Sequence, residues 1–500
     1  MNRIPLIAVP ALCALLLVGG ASASAVTGTP VVTDPLVTLA GSAPTAVVPA
    51  ANGGFFALNS GLDSVIEYNA AGQQVGAKAT ALLPVGSKSS AMVSDLFGSL
   101  YVANPGGAKP SVSRVDIKTG AITPFSLPAA DVPVSLAISS TRDVFVTKKN
   151  DEVTRITPAD VVTLAFAKLP AGSDPRGVVT DAAGNVYTAN HGSNTISKIT
   201  PMGDVSVYAT LGAGAGPTGL AITPKGILWV SDEVSDTVLS FDTSKPANTP
   251  PLGTFNLPPA AHPVALRVDE FDNLFVADSG TNAISVIVPG NPKPQPVTGV
   301  SSSPVALAIS SDNKLLVASK DGNAISSISL ETKIGTSTIG PLTVGTAFAG
   351  TATATGVGDI TFSSPDLPAW LKLDPSTGAL TGTPTASGAS SFTLRALSSV
   401  GRSDARTVTF DVAAAVVTPT PTPTPAPTTG GGTGGQGAGT GSGSGSSGPG
   451  SAGSGGHGTG SLASTGADDV APWGLAGSVL TFLGLGALVL SSRRRARSEA

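Results

Sequence analysis

The sequence predicts an all-β protein: a seven-bladed β-propeller over residues 26–335, then a β-sandwich over 336–413. Three observations carry that expectation. A unit headed by proline recurs at Pro133, Pro175, Pro217, Pro263 and Pro304, every 41 to 46 residues, and each copy reads strand, turn, strand, turn, strand. Short apolar or alternating strands punctuated by Gly, Asn and Asp at that period define four-stranded blades. After residue 336 the period stops and a different strand pattern follows, and from 414 onward the composition can no longer bury a core.

Residues 1–25 read as a secretory leader. Arg3 supplies a basic start, Ile4 to Val18 an apolar stretch, and Ala21-Ser22-Ala23 or Ala23-Ser24-Ala25 the small residues a signal peptidase needs. Cleavage is expected after Ala25. Cys13, the only cysteine, lies inside the apolar stretch and is discarded with it. The secreted chain therefore has no disulfide to stabilise it outside the cell and relies on packing.

Within the ring, Pro217-Thr-Gly-Leu-Ala-Ile-Thr and Pro304-Val-Ala-Leu-Ala-Ile-Ser show the first strand of a blade. Turns such as Asp181-Ala-Ala-Gly184-Asn185 lead to a second strand such as Val186-Tyr-Thr-Ala189 and a third such as Thr195-Ile-Ser-Lys-Ile199. Two looser copies lie around Pro44 to Tyr68 and Ser89 to Ile117. The last copy runs out after Ser326 to Leu330, while Pro35-Leu-Val-Thr-Leu39 precedes the first copy as a strand without a blade. Pairing the two closes the ring and removes exposed sheet edges. The strands Leu100-Tyr-Val-Ala-Asn104, Val186-Tyr-Thr-Ala-Asn190 and Leu274-Phe-Val-Ala-Asp-Ser279 resemble the YVTN and NHL families of propellers. That resemblance implies the fold; its members serve as binding scaffolds, sensors and a few enzymes, so it does not imply one function.

The second module holds Leu371-Lys-Leu373-Asp-Pro-Ser-Thr-Gly378-Ala-Leu380-Thr-Gly382-Thr-Pro384. Leu371, Leu373 and Leu380 are expected to point inward, Trp370 to fill the core, and Gly378 and Gly382 to make turns. This stretch resembles L-x-L-D-x-x-T-G-x-L-x-G-T-P of an Ig-like domain family of bacterial surface proteins. The resemblance implies an Ig-like β-sandwich, a module that usually acts as a spacer.

Residues 414–461 form a disordered stalk: Thr418 to Pro427 alternates Thr and Pro, which favours extended polyproline II, and Thr428 to Gly460 is almost entirely Gly, Ser and Thr. O-linked sugars on the Thr-Pro stretch are left open. Residues 462–500 then combine Leu462-Ala463-Ser464-Thr465-Gly466, an apolar run from Ala471 to Leu490, and Arg493, Arg494, Arg495 and Arg497. About 20 apolar residues suffice for a transmembrane helix, and the arginines hold its end in the cytoplasm. The pentapeptide resembles the LPxTG sortase substrate in its LAxTG variant, associated with high-GC Gram-positive bacteria, because Ala463 stands where the commoner motif has proline. The resemblance implies that a sortase thiolate attacks the Thr465 carbonyl, releases everything from Gly466 onward, and passes the acyl group to a peptidoglycan cross-bridge amine. The expected product is secreted and cell-wall-anchored, made from a membrane-spanning precursor. A permanently retained membrane helix is the alternative.

Loss of both ends leaves 23 Lys plus Arg against 29 Asp plus Glu, and only 12% of the whole chain is charged. That balance gives no electrostatic footprint for nucleic acid. Of three histidines, His457 falls in the stalk, leaving His191 and His262 on different blades as candidates for the propeller mouth. No metal-ligand spacing and no nucleophile elbow is present. Gly214-Ala-Gly216-Pro-Thr-Gly219 lies between two strands and reads as a turn, not a phosphate loop. Asp232, Glu233 and Asp236 in one blade, and Asp269, Glu270 and Asp272 in the next, offer calcium its preferred oxygen ligands, but the same residues are ordinary in hairpin turns. Trp229-Val-Ser-Asp232-Glu233 partly resembles the W-F-T-E strand of the streptogramin lyases, which implies a His base with a carboxylate-bound magnesium; more positions depart than match. Two function classes follow. The first is a wall-displayed binding or adhesion protein for an extracellular protein or glycan, without a catalytic site. The alternative is a secreted propeller enzyme, a lyase or lactone hydrolase, which needs His and carboxylates converging at the mouth.

Overall fold

The computed structural model describes residues 26–50, 53–76, 80–291, 293–335 and 339–416; the leader, nearly all of the stalk and the sorting signal lie outside them. Every regular element among the described residues is a strand, and no helix there is long and apolar enough to cross a membrane. Seven antiparallel four-stranded sheets account for residues 32–329. Their first strands are Pro44–Pro49, Ala91–Ser94, Pro133–Ile138, Pro175–Thr180, Pro217–Ile222, Pro263–Val268 and Pro304–Ile309. Each first strand packs beside the next, and the seventh packs beside the first, so the sheets form a closed ring of blades, numbered 1 to 7 in that order.

The core lies between blades. Side chains alternate across the second strand of each sheet, so Leu100 and Val102 face blade 1 while Tyr101 and Ala103 face blade 3. Both faces of that strand are buried, which is why it reads as a continuous apolar run rather than an alternating one. Turns supply the rest: Asp95, Asp181 and Asp269 each accept backbone N–H groups two or four residues on, capping the hairpin between first and second strands.

Blade 7 is assembled from both ends of the ring. Val32–Thr38 pairs antiparallel with Ala324–Ser329, with Val32 opposite Ile328 and Val37 opposite Ile325. The register slips between Thr33 and Val37, and the Asp34 carboxylate in that bulge accepts from Ser301 N at 2.9 Å, Ser301 Oγ at 2.8 Å and the Ser326 hydroxyl. Val37 and Leu39 then pack with Phe55, Ala57, Leu316 and Ile325, joining blades 7 and 1.

The sandwich has a five-stranded sheet, ordered Val26–Thr27, Asp359–Ser363, Gly388–Ser398, Ser403–Ala413 and Leu342–Thr343, facing a three-stranded one of Phe348–Thr351, Ala379–Gly382 and Leu371–Leu373. Val26 and Thr27 therefore belong to the sandwich sheet, opposite Ile360 and Asp359, before the chain crosses to blade 7. Leu371 and Leu380 are buried with Phe362, Phe392 and Phe410, and Trp370 packs edge-on to Phe410 with ring centres 5.9 Å apart. Gly378 makes a turn at φ +69°. Gly382 does not; it sits in a strand where a Cβ would lie 2.0 Å from the Trp370 carbonyl oxygen, so close backbone approach explains this glycine.

The sandwich is docked on the ring. Val357 and Val400 enter the apolar cluster of blades 6 and 7 beside Phe275, Val286 and Val300. Arg402 lies over the Phe271 ring at 4.6 Å and donates to Glu270 Oε1 at 2.8 Å, while Asn273 Nδ2 donates to the Val400 carbonyl at 3.0 Å. Because a cation on an aromatic face contributes about 1 kcal/mol, Arg402→Ala is expected to loosen the junction without unfolding either module. Limited proteolysis checks this: cleavage should appear first between 331 and 341, and a pattern identical to wild type would show that Val357 and Val400 suffice.

Candidate functional site: the mouth of the ring

The first strands enter the ring from one end, and there each second strand finishes in a buried polar residue. The seven are Asn59, Asn104, Lys148, Asn190, Asp232, Asp278 and Ser319, none more than 4% exposed. They form a belt beneath the loops of this end. Asn104 accepts from Ser89 and donates to Ser111 and Ser113; Asn190 accepts from Thr188 and donates to Thr195 and Ser197. Asp232 accepts from Gly216 N and Ser235 N. The blade-strand motif contains these positions, so the signal was available in the sequence, but only their common placement shows that they form a layer. Inside the belt runs a channel of about 330 Å³, lined by the first strands of all seven blades, with Arg176 as its one charged lining residue.

Both candidate histidines lie at this end, around blade 5. His191 follows the second strand of blade 4, and a Cβ on Gly216 would come within 3.1 Å of its Nε2, so glycine makes room for the ring. His191 Nδ1 stands 3.9 Å from Asp174 Oδ2, beyond hydrogen-bond reach, and among the described residues no second carboxylate comes within 4.0 Å of it. His262 precedes the first strand of blade 6 at φ +47°; its N–H donates to Asp236 Oδ1, and its Nδ1 lies 3.3 Å from the Glu233 carbonyl oxygen. Between them the Glu233 carboxylate accepts from Arg176 Nη1 at 3.1 Å and from Thr218 Oγ1 at 3.0 Å, and Arg176 Nε lies 3.6 Å from Asp174. The charged groups are engaged with one another across blades 4 and 5.

The acidic groups considered as metal ligands are engaged in the same way. Asp236 also accepts from Ala260 N, Asp269 caps its turn and accepts from Asn273 Nδ2, Glu270 pairs with Arg402, and Asp272 pairs with Lys225. Each of the six carboxylates that could have offered oxygens to calcium or magnesium is held by a protein donor. Among the described residues no group of three or more His, Cys, Asp or Glu side chains could hold a metal ion. The donor set does not fit either ion.

Three members of the belt have incomplete shells, Asn59, Ser319 and Asp278, and of these only Asp278 can ionise. Its Oδ2 accepts from Ser285 Oγ at 2.6 Å, but Oδ1 is buried without a partner, because Ala283 stands where blades 2 and 4 place Ser111 and Thr195. Burial pushes its carboxyl up to about 7; Ser285 opposes the shift and the nearby Asp236 charge adds to it.

The expected sorting residues Leu462, Ala463, Ser464, Thr465 and Gly466, the cleavage residues Ala23, Ser24 and Ala25, and Arg493, Arg494, Arg495 and Arg497 lie outside the described residues. What the described part defines is a β-propeller carrying an Ig-like sandwich. Residues 330–413 match the family model described as "Putative Ig domain". The ring is similar to the solved streptogramin B lyase, with 18% identity, a TM-score of 0.54, and coverage of 60% of this chain and 97% of that one. Virginiamycin B lyase from Staphylococcus aureus is similar to the same extent: 18% identity, TM-score 0.53, 60% of this chain and 99% of that one. At such identity the likeness is one of fold. A PE-PGRS family protein of Mycobacterium tuberculosis, PE_PGRS18, is 42% identical over 52 residues, which is 10% of this chain and 11% of that protein's length.

Proposed function

We propose that this protein is a cell-wall-anchored extracellular binding or adhesion protein that presents the mouth of a seven-bladed propeller to a protein or glycan. The carrying observation is the mouth itself. Arg176 and Thr218 both donate to Glu233, and Arg176 also lies at ion-pair distance from Asp174, which suits a preformed recognition surface better than a base waiting for a substrate proton. The docked sandwich and the stalk beyond Ala413 supply the reach. Attachment rests on the order of pentapeptide, apolar run and arginines, with sortase cutting between Thr465 and Gly466 and a peptidoglycan amine taking the acyl group.

A second reading, a propeller lyase, is favoured by the placement of both histidines beside blade 5 and by the fold shared with streptogramin B lyase. Under that reading His191→Ala and His262→Ala remove turnover; under the first they alter only ligand binding.

The test is the intact mass of protein released from purified walls by a muramidase. The expected product begins at Val26, ends at Thr465 and carries a wall-peptide remnant, and Thr465→Ala should abolish the wall-bound form. Unmodified protein found only in membranes or medium would sink covalent display.

A further inference from the structure

Blade 3 breaks the pattern of the belt in three places at once. Where the other six blades end their second strand in Asn, Asp or Ser, blade 3 has Lys148. The residue opposite it is Ser, Thr or Ala elsewhere, and continuing the register from Thr147 opposite Val153 makes it Glu152 here. In the loop entering the first strand, the position held by Ser42, Ser87, Ser173, Ala215, Ala261 and Ser302 in the others is Asp131. The three side chains meet. Lys148 is fully buried, and its Nζ lies 2.6 Å from Asp131 Oδ2, 2.9 Å from Glu152 Oε2 and 2.9 Å from the Leu164 carbonyl oxygen. Asn150 Nδ2 donates to Asp131 Oδ1 at 2.9 Å and to Glu152 Oε2 at 3.2 Å.

We propose that Lys148 and Asp131 condense to an intramolecular amide, with Glu152 carrying the proton. Amide formation consumes the free amine and the carboxylic acid, so the step proceeds from the configuration in which one ammonium proton has passed to the Asp131 carboxylate it contacts. The Lys148 Nζ lone pair attacks Asp131 Cγ. Asn150 donates to Oδ1, the oxygen on which negative charge develops in the tetrahedral intermediate and which remains as the amide carbonyl. Glu152, in contact with the attacking nitrogen, takes a proton from it and returns one to the departing Oδ2. The N–Cγ bond forms, the Cγ–Oδ2 bond breaks, and one water leaves; nothing is oxidised or reduced. Holding the amine 2.6 Å from the Asp131 carboxylate oxygen raises its local concentration at that carboxyl above what a free amine and acid reach. The product would tie the mouth loop to the second strand across 17 residues, a cross-link available to a secreted chain whose only cysteine is Cys13.

Tryptic mapping of the purified secreted protein tests it. Trypsin does not cut after an acylated lysine, so peptides 119–142 and 143–149 should appear as one branched species lighter than their sum by one water. In Glu152→Gln the two should separate and cleavage after Lys148 should return. Free 119–142 and 143–148 from the wild type would overturn the proposal and leave a buried ion pair, and a branch joining Lys148 to Glu152 would overturn the assignment of Asp131. The wild-type digest decides alone, so a variant that fails to fold leaves the test intact.

Discussion

Removing residues 26–38 is expected to abolish cooperative folding rather than lower the melting temperature by a few degrees. The deletion strips blade 7 of its outer strand, and with it Val37 and the Asp34 hydrogen bonds that fix the bulge. It exposes the backbone edge of Ala324–Ser329 and uncovers Ile325 and Leu316, which lie between blades 7 and 1. A ring has no redundant blade, because each core belongs to two neighbours. Domain stabilities of about 5–15 kcal/mol leave little margin for losing both a strand pairing and an inter-blade core. Removing only 26–29 should be far milder, since it uncovers just the two residues paired with Ile360 and Asp359 and the contacts of Gly28 and Thr29. Circular dichroism melts and size-exclusion profiles of the two truncations separate the effects. A 26–38 deletion that melts cooperatively within a few degrees of wild type would show that the ring does not depend on its closing strand.

How far this could be read from the sequence depended on where the period lies. Second strands such as Leu274–Asp278 are apolar on both faces and sit between turns rich in Asp, Asn and Gly, so they announce the repeat. Fourth strands such as Ala81–Leu82 and Gly253–Asn256 are short and exposed along one side, and they carry no period to find. The closing strand was legible as the missing complement of an incomplete last blade. Val26–Thr27 was not: two residues define no alternation, and their partners lie more than 300 residues away. The docking of the sandwich was hidden for a similar reason, because Phe271 reads as a turn residue until Arg402 covers it.

The mouth was legible only in outline. His191 and His262 could be placed near it from their turns, but the neighbour each histidine meets, Asp174 or the Glu233 carbonyl, depends on how adjacent blades are stacked. In the sequence the six carboxylates suit metal ligands and turn caps alike; in the fold, caps and ion pairs account for all of them. The blade 3 triad needed three-dimensional alignment of the blades, since Asp131, Lys148 and Glu152 stand out only against their equivalents.

Asp278→Asn is expected to stabilise the protein at neutral pH and to flatten part of its pH dependence. In the unfolded chain this carboxyl titrates near 3.8, and in the folded ring burial raises it to about 7. Between those values the folded state holds a proton that the unfolded state has released, so unfolding is favoured as pH rises. The penalty is absent below about pH 4, grows through pH 5 and 6, and is complete above pH 7. There, about 1.4 kcal/mol for each tenfold change in proton affinity gives an upper bound of about 4 kcal/mol. Asparagine cannot ionise, and it keeps an oxygen to accept from Ser285 Oγ. The variant should therefore match wild type near pH 4 and exceed it increasingly up to pH 7. Carboxylates held low by hydrogen bonds, such as Asp374 at about 2, act with the opposite sign and only at the acid end, and they cancel in the comparison because both proteins carry them. Guanidinium midpoints measured from pH 4 to 8 give the difference directly. Parallel profiles would mean that Asp278 ionises freely in the folded ring, with water reaching the Oδ1 that lacks a protein partner.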